Sequence, residues 1–273
     1  MLGKTIGIIS IKGGVGKTTA ITNLGAVLSN EFDKKVLLVD ANFSAPNLGL
    51  HLGNIKPEST IFDVLIDKIG IRKAIVKHEA GFDYIPGSLA HQKNDKDIYQ
   101  LKKKIDSLRR DYDMILIDTA PASANELISA MIASDELLVV TTPDYPTLSC
   151  TIKAIKLAKE RKTPIVGLIL NKTRKKKFEL TAEDIEGIAE IPVLAVIPDD
   201  VSILEALSLS KPSALHSPRK ESSIEYKKLA SSLVGMDYKD PRMWKRMEKL
   251  LKSTMTGRAP KHEINRTLLK RLR

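Results

Sequence analysis

The stretch Ile11-Lys12-Gly13-Gly14-Val15-Gly16-Lys17-Thr18-Thr19 follows an apolar run, 6–9, and opens an apolar-periodic segment over 20–28. Strand, glycine turn and helix in that order leave few folds open. Three glycines within four positions let the backbone curl so that several N–H groups point at one oxyanion, with no Cβ atoms in the way. The following helix adds its own unpaired N–H groups and the positive end of its dipole. Such a turn cradles phosphate, and the binding set runs through Gly13, Gly14, Val15, Gly16, Lys17, Thr18 and Thr19. Lys17 reaches β- and γ-phosphate oxygens, and the Thr18 hydroxyl can ligate Mg²⁺.

Past this turn, apolar runs at 35–40, 114–118, 137–141, 164–170 and 193–197 alternate with helical patterns. The helical patterns fall at 48–52, 61–69, 101–110, 126–133, 147–161, 182–189 and 223–233, and 83–87 is a short strand running into a turn. That alternation predicts an α/β fold with a doubly wound, mostly parallel sheet. Ligands in such sheets lie at the carboxyl ends of the strands. Asp40, Asp118, Asn171 and the turn Pro198-Asp199-Asp200 all fall at that edge. Asp118 ends an apolar strand beside the glycine turn, where an acid can hold a magnesium-bound water.

The net charge of +11 is concentrated at one end. From Tyr238 onward there are 12 Lys+Arg against 3 Asp+Glu, a net of +9, so the remaining 237 residues carry only +2. The boundary divides a body, 1–237, from a basic tail, 238–273, which favours an anionic partner such as lipid or nucleic acid. No apolar run approaches the ~18 residues of a membrane span. Met1-Leu2-Gly3-Lys4 leads straight into the first strand, so a cytoplasmic location is expected, with Cys150 as the single cysteine.

The run Lys-Gly-Gly-Val-Gly-Lys-Thr-Thr resembles the deviant Walker A loop of the SIMIBI P-loop NTPases, the group of MinD, ParA, Mrp-type ATPases and nitrogenase iron protein. The resemblance covers residues 4 to about 235 and implies ATP/ADP with Mg²⁺, slow or partner-stimulated hydrolysis, and a homodimer around the nucleotide. It implies that Lys12 acts on the partner's nucleotide and that Thr18, Asp40 and Asp118 form the metal set. The segment Asp40-Ala41-Asn42 is similar to the family's Asp-x-Asp, with Asn42 in place of the second acid. An asparagine there either orients the attacking water through its amide or hydrogen-bonds its own loop. Asn171 matches the strand-end asparagine that recognises adenine, and Arg174 stands where a guanine-specific site requires Asp.

A [4Fe–4S] cluster bridging a dimer takes two cysteines per chain, so one cysteine excludes the iron–sulfur branches. Ala45-Pro46-Asn47-Leu48-Gly49-Leu50 is similar to MinD-type proteins, which implies a positioning ATPase for cell division with an activating protein partner. In the tail, Met243, Trp244, Met247, Leu250 and Leu251 have helical spacing. Ile264, Leu268, Leu269 and Leu272 then share about 140° of helical arc at about 100° per residue. A basic amphipathic helix over 261–273 suits an anionic membrane at the inner face of the cell. Packing of that helix on the body is the other reading. A ParA-like DNA-binding role through the lysines of 153–162 and Arg174 to Lys177 is the competing functional class, and an ATP-locked scaffold with little hydrolysis a third.

Overall fold

The structure is a computed structural model and describes residues 2–88, 99–121, 124–240 and 260–273. Strands β1 (Lys4–Ile9), β2 (Val36–Ala41), β3 (Val76–Lys77), β4 (Asp83–Ile85), β5 (Met114–Thr119), β6 (Glu136–Thr141), β7 (Ile165–Thr173) and β8 (Val193–Pro198) form one sheet. Its order is β3-β4-β2-β5-β1-β6-β7-β8. Only β3 runs antiparallel to its neighbour. Every residue of β2 and β5 is buried, as continuous apolar runs in a parallel sheet require. The chain leaves β1 toward β2 on one side and reaches β6 on the other, so β1 is the switch point of the winding.

Helices α1 (Lys17–Glu31), α2 (Leu48–His51), α3 (Ile61–Leu65), α4 (Leu101–Asp106), α5 (Ala124–Ala133), α6 (Tyr145–Glu160), α7 (Ala182–Ala189), α8 (Val201–Ser208), α9 (Ser213–His216), α10 (Glu221–Leu233) and α11 (Lys261–Arg271) cover the sheet. The expected doubly wound α/β sheet is present. Several boundaries move for local reasons. The helix expected over 61–69 stops at Leu65, because Asp67 takes φ 59° and the Asp63 carbonyl gathers the N–H groups of Lys68 and Ile69. The helix expected over 147–161 starts two residues earlier, because the Asp144 carboxylate caps it through Thr147 N–H and Pro146 fits its first turn. Asp200 caps α8 by accepting from Ser202 N–H, so the 198–200 turn opens a helix that the sequence reading lacked.

The tail helix forms where its spacing predicts, and it lies against α10, α7 and β8. Leu269 packs on the core that α1 and α10 share with the sheet. Met243, Trp244, Met247, Leu250 and Leu251 lie outside the described residues. No helix among the described residues is long and apolar enough to cross a membrane.

Candidate nucleotide-binding site

β1 delivers the chain into the glycine turn, where Gly14 and Gly16 take left-handed φ of 73° and 97°. A Cβ on Gly16 would stand 2.2 Å from Asn171 Nδ2, so only glycine fits. No side chain caps α1 and its first turn carries no acid, which leaves its leading N–H groups for an anion. They face a cavity of about 430 Å³ lined by Gly14, Gly16, Lys17, Thr18 and Thr19. The end of β7 staples the turn from the other side. Asn171 Nδ2 donates to the Val15 carbonyl at 2.7 Å, and Lys172 Nζ to the Gly14 carbonyl at 2.8 Å.

Asp40 and Asp118 are direct register partners on β2 and β5, and both are buried. Thr18 Oγ1 donates to Asp118 Oδ2 at 2.6 Å. Asp118 Oδ1 is buried and has no hydrogen-bond partner among the described residues. Asp40 accepts from Asn42 N–H at 3.1 Å and Leu48 N–H at 3.0 Å. Burial, then the Asp118 carboxylate, pushes Asp40 up to about 8 against those backbone donors. Burial also raises Asp118, with Thr18 and Lys17 opposing it. Burial pushes Lys17 down, with Asp118 opposing. When both carboxylates are ionised they outnumber Lys17 at this edge. An orphaned carboxylate oxygen beside a threonine hydroxyl fits a hard divalent cation, which takes oxygen ligands.

The structure brings most of the expected residues to one cavity and gives some of them other work. Asn42 lines it, but its Nδ2 donates to the Ala45 carbonyl at 2.5 Å and its Oδ1 accepts from Ala45 N–H at 3.1 Å. Both ends of the amide hold the loop, and its second N–H and second lone pair remain able to meet a water. Asn171 lines the cavity with one amide N–H engaged on the turn, which leaves its Oδ1 and second N–H for a base. Pro198 and Asp199 line the same cavity, with Asp199 held by Arg174 Nε at 2.8 Å. Lys12 points away from this cavity. With Gly13 and Val15 it borders a neighbouring depression, where its Nζ donates to Thr147 Oγ1 at 2.6 Å and Asp144 Oδ1 at 3.2 Å.

Asp144, Thr147, Lys172, Asn47, His51, Leu204 and Leu207 were missed by sequence reasoning. Asp144 carried a signal, since an acid two residues before Pro146 at a strand–helix junction is an N-cap pattern. Leu204 and Leu207 give the cavity an aliphatic wall. An aliphatic wall of this kind suits a flat heterocycle.

An uncapped helix behind a glycine turn, a buried lysine and paired strand-end acids define a P-loop nucleotide-binding protein. The family model described as an AAA domain matches residues 3–166. An uncharacterized ATP-binding protein of Methanocaldococcus jannaschii is 30% identical over 256 residues, covering 92% of this chain and 95% of that protein. The cell division ATPase MinD of Pyrococcus furiosus superposes with a TM-score of 0.77 at 30% identity, over 91% of this chain and 100% of that one. The septum site-determining protein MinD of Pyrococcus horikoshii, complexed with Mg-ADP, gives a TM-score of 0.77 at 29% identity, over 93% of this chain and 100% of that one. The chain belongs to the MinD/ParA family of P-loop ATPases.

Proposed function

We propose that this protein binds ATP·Mg²⁺, dimerises around it and hydrolyses it slowly, acting as a nucleotide-controlled positioning switch at a membrane surface. The observation that carries this reading is the pair of buried register partners Asp40 and Asp118 beside Thr18, one oxygen short of a ligand. The Mg-ADP in the MinD of Pyrococcus horikoshii supports the same cargo here. In this chain the backbone N–H groups of Gly13 to Thr19 hold the phosphates, and Lys17 neutralises their charge. Thr18, Asp40 and Asp118 hold Mg²⁺ directly or through water, and the ion, when bound, neutralises charge on the β- and γ-phosphates. Asn171, Pro198 and Asp199 frame the adenine.

Lys12 acts on the partner's nucleotide and must first leave Asp144 and Thr147. Asn42 cannot take a proton, and its amide holds Ala45, so hydrolysis is slow until a protein partner rearranges the loop. The exposed stripe of α11 is the surface for anionic lipid. Arg174 and Lys175 are already paired with Asp199 and Glu221, which takes two charges out of the run proposed for DNA.

Co-sedimentation with anionic vesicles and, separately, with DNA, each with ADP and with ATP, tests the reading. ATP-dependent vesicle binding that Leu268→Glu removes is the expected result. DNA binding that falls steeply with salt in a tail-deleted chain would replace the membrane role with a nucleic-acid one.

A further inference from the structure

The polar face of α11 holds it to the body. Arg266 is 4% exposed, and its Nη1 donates to Glu225 Oε2 on α10 at 2.7 Å. Asn265 Nδ2 donates to the Val193 carbonyl at 3.0 Å and to Glu186 Oε1. Lys261 pairs with Glu186 at 2.6 Å, and Arg273 pairs with Glu136. Val193 and Glu136 are the first residues of β8 and β6. The helix therefore crosses the amino edge of the sheet, and the glycine turn lies at the opposite edge.

Docking through this face leaves the apolar stripe outside. Ile264 is 45% exposed, Leu268 52% and Leu272 84%, spaced four residues apart on one side of the helix. Arg271 beside them is exposed and makes no ion pair among the described residues. Resting on the membrane reading above and deepening it, we propose that α11 meets an anionic lipid surface while still docked, with the ion pairs behind it fixing the orientation of the body. An isolated helix of 11 residues is marginal in water, so a released α11 would have to be ordered again by the lipid. The docked helix is ordered already, and lipid contact carries no such cost. Release would also strip buried Glu225 of its Arg266 partner, which holds this carboxyl low together with Lys228 against the effect of burial. The charge of Arg271 beside the stripe, without an ion pair among the described residues, matches an anionic surface.

The test joins α11 to the body covalently. The full chain carries Cys150→Ser, Asn265→Cys and Glu186→Cys, and the two new thiols are linked by a short bis-methanethiosulfonate. Phosphatidylglycerol–phosphatidylcholine vesicles are then sedimented with the linked and the reduced protein in ATP·Mg²⁺. Equal binding of the two forms, lost in both with Leu268→Glu, is expected. Binding by the reduced form with a loss of about tenfold or more on linking would overturn docked binding and leave the membrane reading intact. Sedimentation by neither the reduced nor the unsubstituted chain would overturn the membrane reading itself. Hydrogen exchange on the unsubstituted chain decides independently of the cysteine pair. The amides of α10 around Glu225 stay protected on vesicles when α11 remains docked, and their deprotection would overturn the proposal.

Discussion

Asp40 and Asp118 face each other across β2 and β5 as buried register partners, and the second oxygen of Asp118 has no hydrogen-bond partner among the described residues. Burial, then the repulsion of Asp118, pushes Asp40 up to about 8, so a divalent cation binding here at neutral pH should displace a proton. The cation needs the ionised form. Apparent Mg²⁺ affinity in the presence of ADP should therefore rise with pH and level off above about 8, with protons released at lower pH. Calorimetry in buffers of different ionisation enthalpy measures the release. Asp118→Asn should remove at least about tenfold of the Mg²⁺-dependent gain in ADP affinity.

Gly16 holds φ 97° with Asn171 pressed against its Cα. Gly16→Ala should cost about 1–3 kcal/mol of stability through strain alone, and more if Asn171 must move. Nucleotide binding should vanish with it. Thermal unfolding with and without ADP checks both effects.

Asp144 holds Lys12 in the free chain and also caps α6. Asparagine caps a helix as well as aspartate does, so Asp144→Asn separates the two roles. The variant should keep its helix and show more ATP-dependent dimer in sizing experiments, whereas Lys12→Ala should stay folded and monomeric. Burial pushes the Asp144 carboxyl up, but donors from Thr142, Thr147 and Lys12 outweigh it and hold the group at about 2. A carboxyl held below its ordinary value stabilises the fold above that value, and this contribution is lost as pH falls from about 4 toward 2.

The Ala45 backbone occupies both ends of the Asn42 amide. Asn42→Asp would keep the bond from Ala45 N–H and place an acid beside the cavity. Its basal ATP turnover should rise by about tenfold or more, measured as phosphate release without any partner.

Arg266 and Glu225 form a buried pair that stands behind the exposed stripe. Arg266→Ala should destabilise the fold by about 1–3 kcal/mol, because it leaves buried Glu225 with Lys228 alone at 3.3 Å. Arg266→Met with Glu225→Leu should recover most of that loss. A double-mutant cycle by urea unfolding gives the coupling.

The glycine turn was legible because its chemistry permits few substitutes, and Asp40 and Asp118 were legible because each ends an apolar strand. Their direct pairing was not, since strand order is not written in either strand. Asn42 could be read two ways from sequence, and its bonds to Ala45 three residues on fit the loop-holding one while its second N–H keeps the other open. The tail helix was readable as a helix but not as a docked one. Arg266 occupies the same spacing as any solvated arginine, and its burial depends on Glu225, 41 residues away. Strand β3 has two residues and shows no period at all.

The most direct measurement is titration of ADP into the intact chain by calorimetry, with and without Mg²⁺, beside Lys17→Ala. Tight binding that Mg²⁺ strengthens and Lys17→Ala removes is the expected result. No binding by the intact chain, or binding indifferent to both Mg²⁺ and Lys17, would contradict a nucleotide held between the glycine turn and the paired acids.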